Sequence, residues 1–132
     1  MACPYPAYLA RMAEPRPVAE AEIAELVSRF YARARRDARI GPIFEAAVDD
    51  WPDHMARLTD FWTSVMLASG RYKGNPFGAH RPLPLEPGLF EIWLGLWRET
   101  TAEMFEPEIA RLFDEKAERI ADSLSSGLFF RA

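Results

Sequence analysis

The stretch Gly70-Arg-Tyr-Lys-Gly-Asn-Pro-Phe-Gly-Ala-His80-Arg-Pro-Leu-Pro-Leu-Glu-Pro-Gly88 is the only long break between segments of strong helical character. Pro76, Pro82, Pro84 and Pro87 remove backbone donors and clash with the preceding turn. Gly70, Gly74, Gly78 and Gly88 add conformational freedom, so a continuous helix here is very costly. In its middle sits His80, one of two histidines in the chain. An imidazole held on a short, proline-fenced segment between two aromatic-rich helices is a candidate axial ligand for a cofactor. The plainer reading is a loop histidine that caps a helix or meets solvent, and His80 alone does not separate the two.

Upstream of the break, Asp49 and Asp50 offer an N-cap for a helix with Pro52 in its first turn, running to about Ala68. Trp51, His54, Leu58, Phe61, Trp62 and Val65 fall on one stripe of it. His54 therefore lies on an apolar face, where it is either a core histidine bonded to a neighbour or a residue facing something in a pocket. Downstream, Leu89 to about Phe105 is helical and apolar around most of its circumference, which marks a central helix. Trp93 lies in its middle with an indole N–H that needs a partner when buried.

Toward the N-terminus, Ile23, Leu26, Val27, Phe30 and Tyr31 recur at spacings of three and four between Val18 and about Arg36. The hydroxyl of Tyr31 points wherever that apolar face points, and an ordinary core tyrosine is the alternative reading. Ile40-Gly41-Pro42-Ile43-Phe44 is a turn followed by a short helical piece with Pro42 at its first position. After Glu106-Pro107 a last amphipathic helix carries Ile109, Leu112, Phe113, Ile120, Ala121 and Leu124, with Gly127 expected as its C-terminal cap. No strand-like alternation appears. The expected class is all-α, two helix pairs separated by an irregular segment.

At 132 residues the chain fits one domain with a real core. Residues 1–17, with Pro4, Pro6, Pro15 and Pro17, read as an extended proline-rich arm, on which Tyr5 and Tyr8 could pack onto the domain of residues 18–132. A net charge of −4 argues against nucleic acid as the main partner. No apolar run approaches the roughly 18 residues that span a bilayer, and the first 17 lack the apolar core of a signal peptide. Cys3 has no internal partner for a disulfide. The expectation is a cytoplasmic protein with no membrane partner.

There is no Gly-rich phosphate loop, no paired-cysteine metal spacing and no marked nucleophile. What remains is one set: Tyr31, His54 and Trp93 as polar tips on apolar stripes, with His80 on the break. That set matches a haem pocket, in which one imidazole binds iron and donors opposite it meet a ligand.

The fragments Phe30-Tyr31-Ala-Arg-Ala-Arg-Arg-Asp37, Gly41-Pro42-Ile43-Phe44, Asp50-Trp51-Pro-Asp-His54 and Phe61-Trp62 resemble, in this order, the group III truncated haemoglobins. So do Tyr72-Lys-Gly74-Asn-Pro76 with His80, then Phe90-Glu91-Ile92-Trp93-Leu94, and the likeness spans about residues 20–125. The resemblance implies a globin-like, truncated two-over-two helical sandwich around haem b, iron protoporphyrin IX. It implies His80 as the iron ligand, at the end of an Asn-Pro-x-x-x-His motif. Tyr31, His54 and Trp93 match the distal residues that stabilise the ligand, and Phe44 the phenylalanine packed on the porphyrin. Leu58 and Phe61 should line the same pocket, and Arg57, Lys73 and Arg81 are candidates for pairing with the haem propionates. Some members carry a further histidine where this chain has Leu89, but the Asn75-Pro76 spacing favours His80. The proline-rich arm is a departure from the family.

The implied function is binding of dioxygen and other diatomics such as nitric oxide and carbon monoxide. Several hydrogen-bond donors around one ligand suit nitric oxide dioxygenase or peroxidase-like chemistry, fed by an unidentified reductase, better than oxygen transport. Two other readings stay open: a haem-free globin-like interaction module, and a haem sensor or electron carrier with His54 as sixth iron ligand.

Overall fold

The computed structural model describes residues 15–129. Six helices follow one another: α1 (Glu20–Ala34), α2 (Gly41–Ala47), α3 (Trp51–Leu67), α4 (Pro76–His80), α5 (Pro87–Met104) and α6 (Pro107–Phe129). No strand occurs among the described residues. The boundaries follow local chemistry. Glu22 accepts from the Ala19 N–H at 3.0 Å and, with Glu20, places negative charge at the positive end of α1. Asp50 caps α3 by accepting from the Asp53 N–H at 3.1 Å, with Pro52 beside it in the first turn. Ala68 ends α3 in the left-handed region, φ 56°, its N–H on the Ser64 carbonyl.

α1 packs against α3 and α5, and α5 packs against α6, giving the two-over-two arrangement of a truncated globin. The apolar face of α1 buries Ile23, Leu26, Val27, Phe30, Tyr31 and Ala34. It meets Leu94 and Trp97 of α5, and Ile109, Phe113 and Ala117 of α6 complete the core. Trp97 lies between Trp62 (centroids 4.3 Å apart, planes at 20°) and Trp93 (5.8 Å, 11°), while Phe113 stacks on Phe105 at 5.0 Å. Each large side chain buried this way contributes roughly 1.5–3 kcal/mol. Arg33 crosses from α1 to donate to the buried Thr100 hydroxyl at 2.8 Å and to pair with Glu103.

Two expectations are corrected. The break at 70–88 is not wholly irregular, because Asn75 caps a single helical turn, α4, by accepting from the Gly78 N–H at 3.1 Å. Gly127 is not a cap either, since α6 continues to Phe129. A Cβ at Gly127 would come within 2.6 Å of the Phe77 ring, so the glycine lets Phe77 of α4 settle on α6. That contact is long-range, and helix-end rules do not see it. Of the arm, Arg16 pairs with Glu22 at 3.0 Å and with Glu106 at 2.6 Å, tying it to the α1 start and the α5–α6 corner. Cys3, Tyr5 and Tyr8 lie outside the described residues.

Candidate functional site

All six helices, together with the segment entering α4, open onto one cavity of about 850 Å³. Its size falls in the range of ligand pockets, about 300–1,000 Å³. Tyr31 reaches it from α1 and Phe44 from α2. His54, Arg57, Leu58 and Phe61 reach it from α3, Lys73 from the segment entering α4, His80 from α4 and Trp93 from α5. Arg81 is not among its walls. It lines a neighbouring space of about 390 Å³ that shares His80 with the large cavity.

His80 is the last residue of α4, and its Nδ1 lies 2.6 Å from the Pro76 carbonyl oxygen. A carbonyl oxygen only accepts, so Nδ1 carries the proton and donates. That leaves Nε2 with its lone pair available, the form in which a histidine binds a metal with its other nitrogen oriented by the backbone. The Pro76 carbonyl sits one turn before His80, where the α4 geometry brings it within reach of Nδ1.

Across the cavity the polar tips gather. The Tyr31 and His54 rings meet edge to face at 5.4 Å, and Tyr31 meets Phe44 at 5.3 Å. Burial pushes the Tyr31 phenol well above its ordinary pKa, so the hydroxyl stays protonated and can donate. Burial, then the Arg57 charge, depress the His54 pKa, with Asp53 opposing and His80 adding a further depression. His54 Nε2 is buried with no hydrogen-bond partner among the described residues, a state that costs roughly 1–3 kcal/mol unless something else bonds it. Trp93 stands against Phe30 at 5.8 Å, parallel to Trp97. At the rim, Arg57 pairs with Asp53 at 2.9 Å and is largely exposed. Arg71 is held by Glu20 at 2.8 Å and Asp60 at 3.5 Å, while Lys73 has no ion pair among the described residues.

No group of three or more His, Cys, Asp or Glu side chains capable of holding a metal ion occurs among the described residues. One available imidazole in a large, mainly apolar cavity therefore fits a metal that brings its own equatorial ligands. An unsatisfied polar atom in the same cavity, His54 Nε2, fits a small ligand on that metal.

No protein-family model matches the chain. It is 34% identical over 112 residues to the group 3 truncated hemoglobin ctb of Campylobacter jejuni subsp. jejuni serotype O:2, covering 81% of this chain and 88% of that protein. The chain belongs to the group III truncated haemoglobins. The crystal structure of the group III truncated hemoglobin from Campylobacter jejuni superposes with a TM-score of 0.81 at 31% identity, covering 89% of this chain and 96% of that one. Membership of the truncated haemoglobins implies haem binding, which agrees with the cavity's size and its single available imidazole. No described helix is long and apolar enough to cross a membrane.

Residue patterns alone did not assign three members of this globin's site. Trp62 and Tyr72 line the cavity without a role read from the sequence. Trp51 stands behind it, with its ring edge to face with both Tyr31 and His54. The available signal was spacing, because Trp51 precedes His54 by three residues on the same helical stripe.

Proposed function

We propose that this chain holds haem b through His80 Nε2 and uses Tyr31, His54 and Trp93 to grip a diatomic ligand for redox or nitric oxide and reactive-oxygen chemistry. The observation that carries the reading is the His80 Nδ1–Pro76 hydrogen bond at 2.6 Å, set across one cavity from the unpartnered His54 Nε2. Bound haem supplies an iron with an open position for a diatomic molecule and the electrons that polarise it. Phe44, Leu58 and Phe61 provide apolar packing for the porphyrin, and Arg57 and Lys73 offer cations for its propionates at the rim.

The distal groups act as donors. The protonated Tyr31 hydroxyl can donate, the Trp93 indole N–H can only donate, and neutral His54 donates from whichever nitrogen carries its proton. A well-placed bond to a partly charged ligand contributes roughly 1–3 kcal/mol. At about 1.4 kcal/mol per tenfold, two such bonds slow release about a hundredfold. A ligand held that firmly is poorly suited to unloading and well suited to reaction in place. Electrons for repeated turnover would come from a reductase.

In the reconstituted protein, His80→Gly is expected to lose or greatly weaken the Soret band, and added imidazole to restore it. An unchanged spectrum in that variant overturns the ligand assignment. A low-spin ferrous spectrum without added ligand, lost in His54→Ala, would instead favour six-coordinate iron. The donors of Tyr31 and Trp93 speak against that arrangement, since they would have no ligand to serve.

A further inference from the structure

We propose that Trp51 is the positioning residue that fixes the orientation of the His54 imidazole, an inference that rests on the distal role proposed for His54. Among the described residues no hydrogen bond reaches His54 Nε2, so ring packing must hold the imidazole where it stands. Two rings do so. Tyr31 meets it at 5.4 Å with planes at 89°, and Trp51 meets it at 5.5 Å with planes at 87°. Trp51 also meets Tyr31 at 5.8 Å, closing a triangle of edge contacts. Edge-to-face geometry sets the positive edge of one ring against the negative face of another, which makes it directional as well as apolar.

The three rings differ in what else restrains them. Tyr31 is buried on α1 between Phe30, at 5.1 Å, and Phe44, at 5.3 Å, so losing Trp51 leaves it enclosed. Of its ring contacts among the described residues, His54 keeps Tyr31 alone. Trp51 in turn is clamped from outside: the Arg35 guanidinium carbon lies 4.0 Å from its ring centroid, and Arg35 pairs with Glu45 of α2 at 2.7 Å. A cation over the indole face pins the ring and links α1, α2 and the first turn of α3 around it. Trp51 does not line the cavity, so it acts on a ligand through its neighbours, and of these His54 is the one its loss leaves less restrained.

The C–O stretching spectrum of the haem-loaded, ferrous, carbon monoxide form tests this, because each orientation of a polar group beside the ligand gives its own band. Wild type is expected to show one dominant band. Trp51→Leu should add a second band or shift the first, Trp51→Phe should keep the wild-type pattern, and Trp51→Leu should change nothing in a His54→Leu background. A wild-type spectrum in Trp51→Leu overturns the proposal, as does an equal change with and without His54. Should Trp51→Leu fail to load haem, Arg35→Met carries the test: an added band supports the proposal and a wild-type spectrum overturns it. Failure of wild type to take up haem at all overturns the underlying functional reading and this inference with it, whereas a Soret band with unchanged C–O bands removes this inference alone.

Discussion

His54 is the residue where charge, burial and function meet most closely. Burial first, then Arg57 and His80, favour its neutral form against the pull of Asp53. The unfolded chain takes up a proton near the ordinary value of 6.5, while the folded chain takes it up only at lower pH. The unfolded state thus binds more protons below 6.5, and stability contributed by neutral His54 is full above that value and lost as pH falls. His54→Leu should therefore lose less stability than wild type between about pH 7.5 and 5.5, read as urea midpoints at each pH. Parallel midpoint curves for the two proteins would contradict the depressed titration. At this scale the sequence was informative wherever a polar group sat on an apolar stripe, as with Tyr31, His54 and Trp93. It was uninformative where a role depends on a neighbour from another element. Trp51 is one such residue, since Arg35 reaches it from the end of α1. Trp97 is another: its buried Nε1 has no partner, a state that no spacing rule reveals.

α4 is the element on which the proximal assignment depends, and five residues are too few to sustain a helix alone. Its cap on Asn75, the Phe77 contact on Gly127 and the turn after His80, where Leu83 N–H donates to the His80 carbonyl at 3.1 Å, hold it in place. Asn75→Ala removes the acceptor for the Gly78 N–H and should cost about 1 kcal/mol in thermal unfolding. Because the same turn presents the imidazole, the variant should also broaden or shift the iron–histidine stretch in the ferrous Raman spectrum, and Asn75→Asp should preserve it. The prolines and glycines of 70–88 made the interruption of helix plain, but the short helix that begins at Asn75-Pro76 was not read from them. The length of α4 was hidden, because it is set by docking on α6 through a glycine whose neighbour is fifty residues away in sequence.

For the whole molecule, core and cavity are separable. Phe113 is fully buried, stacks on Phe105 and touches Trp62 and Trp97, but it does not line the cavity. Phe113→Ala should cost about 3–5 kcal/mol in urea unfolding while leaving the C–O stretch unchanged, the opposite pattern to Trp51→Leu. The all-α class and its two helix pairs were legible because period-3.6 stripes on α1, α3, α5 and α6 each demand a partner, while the two-over-two arrangement came from the family resemblance. Which stripes share a cavity was less so, since Tyr31, His54, His80 and Trp93 come from four elements; elimination grouped them as one candidate set, and the ordered family resemblance gave each a role. The measurement that bears most directly on the account is the absorption spectrum of the haem-reconstituted ferrous protein with and without carbon monoxide. The account predicts a five-coordinate spectrum with a Soret band that sharpens and shifts on adding the gas. A folded, helical protein that takes up no haem, or one whose spectrum carbon monoxide leaves unchanged, would contradict it.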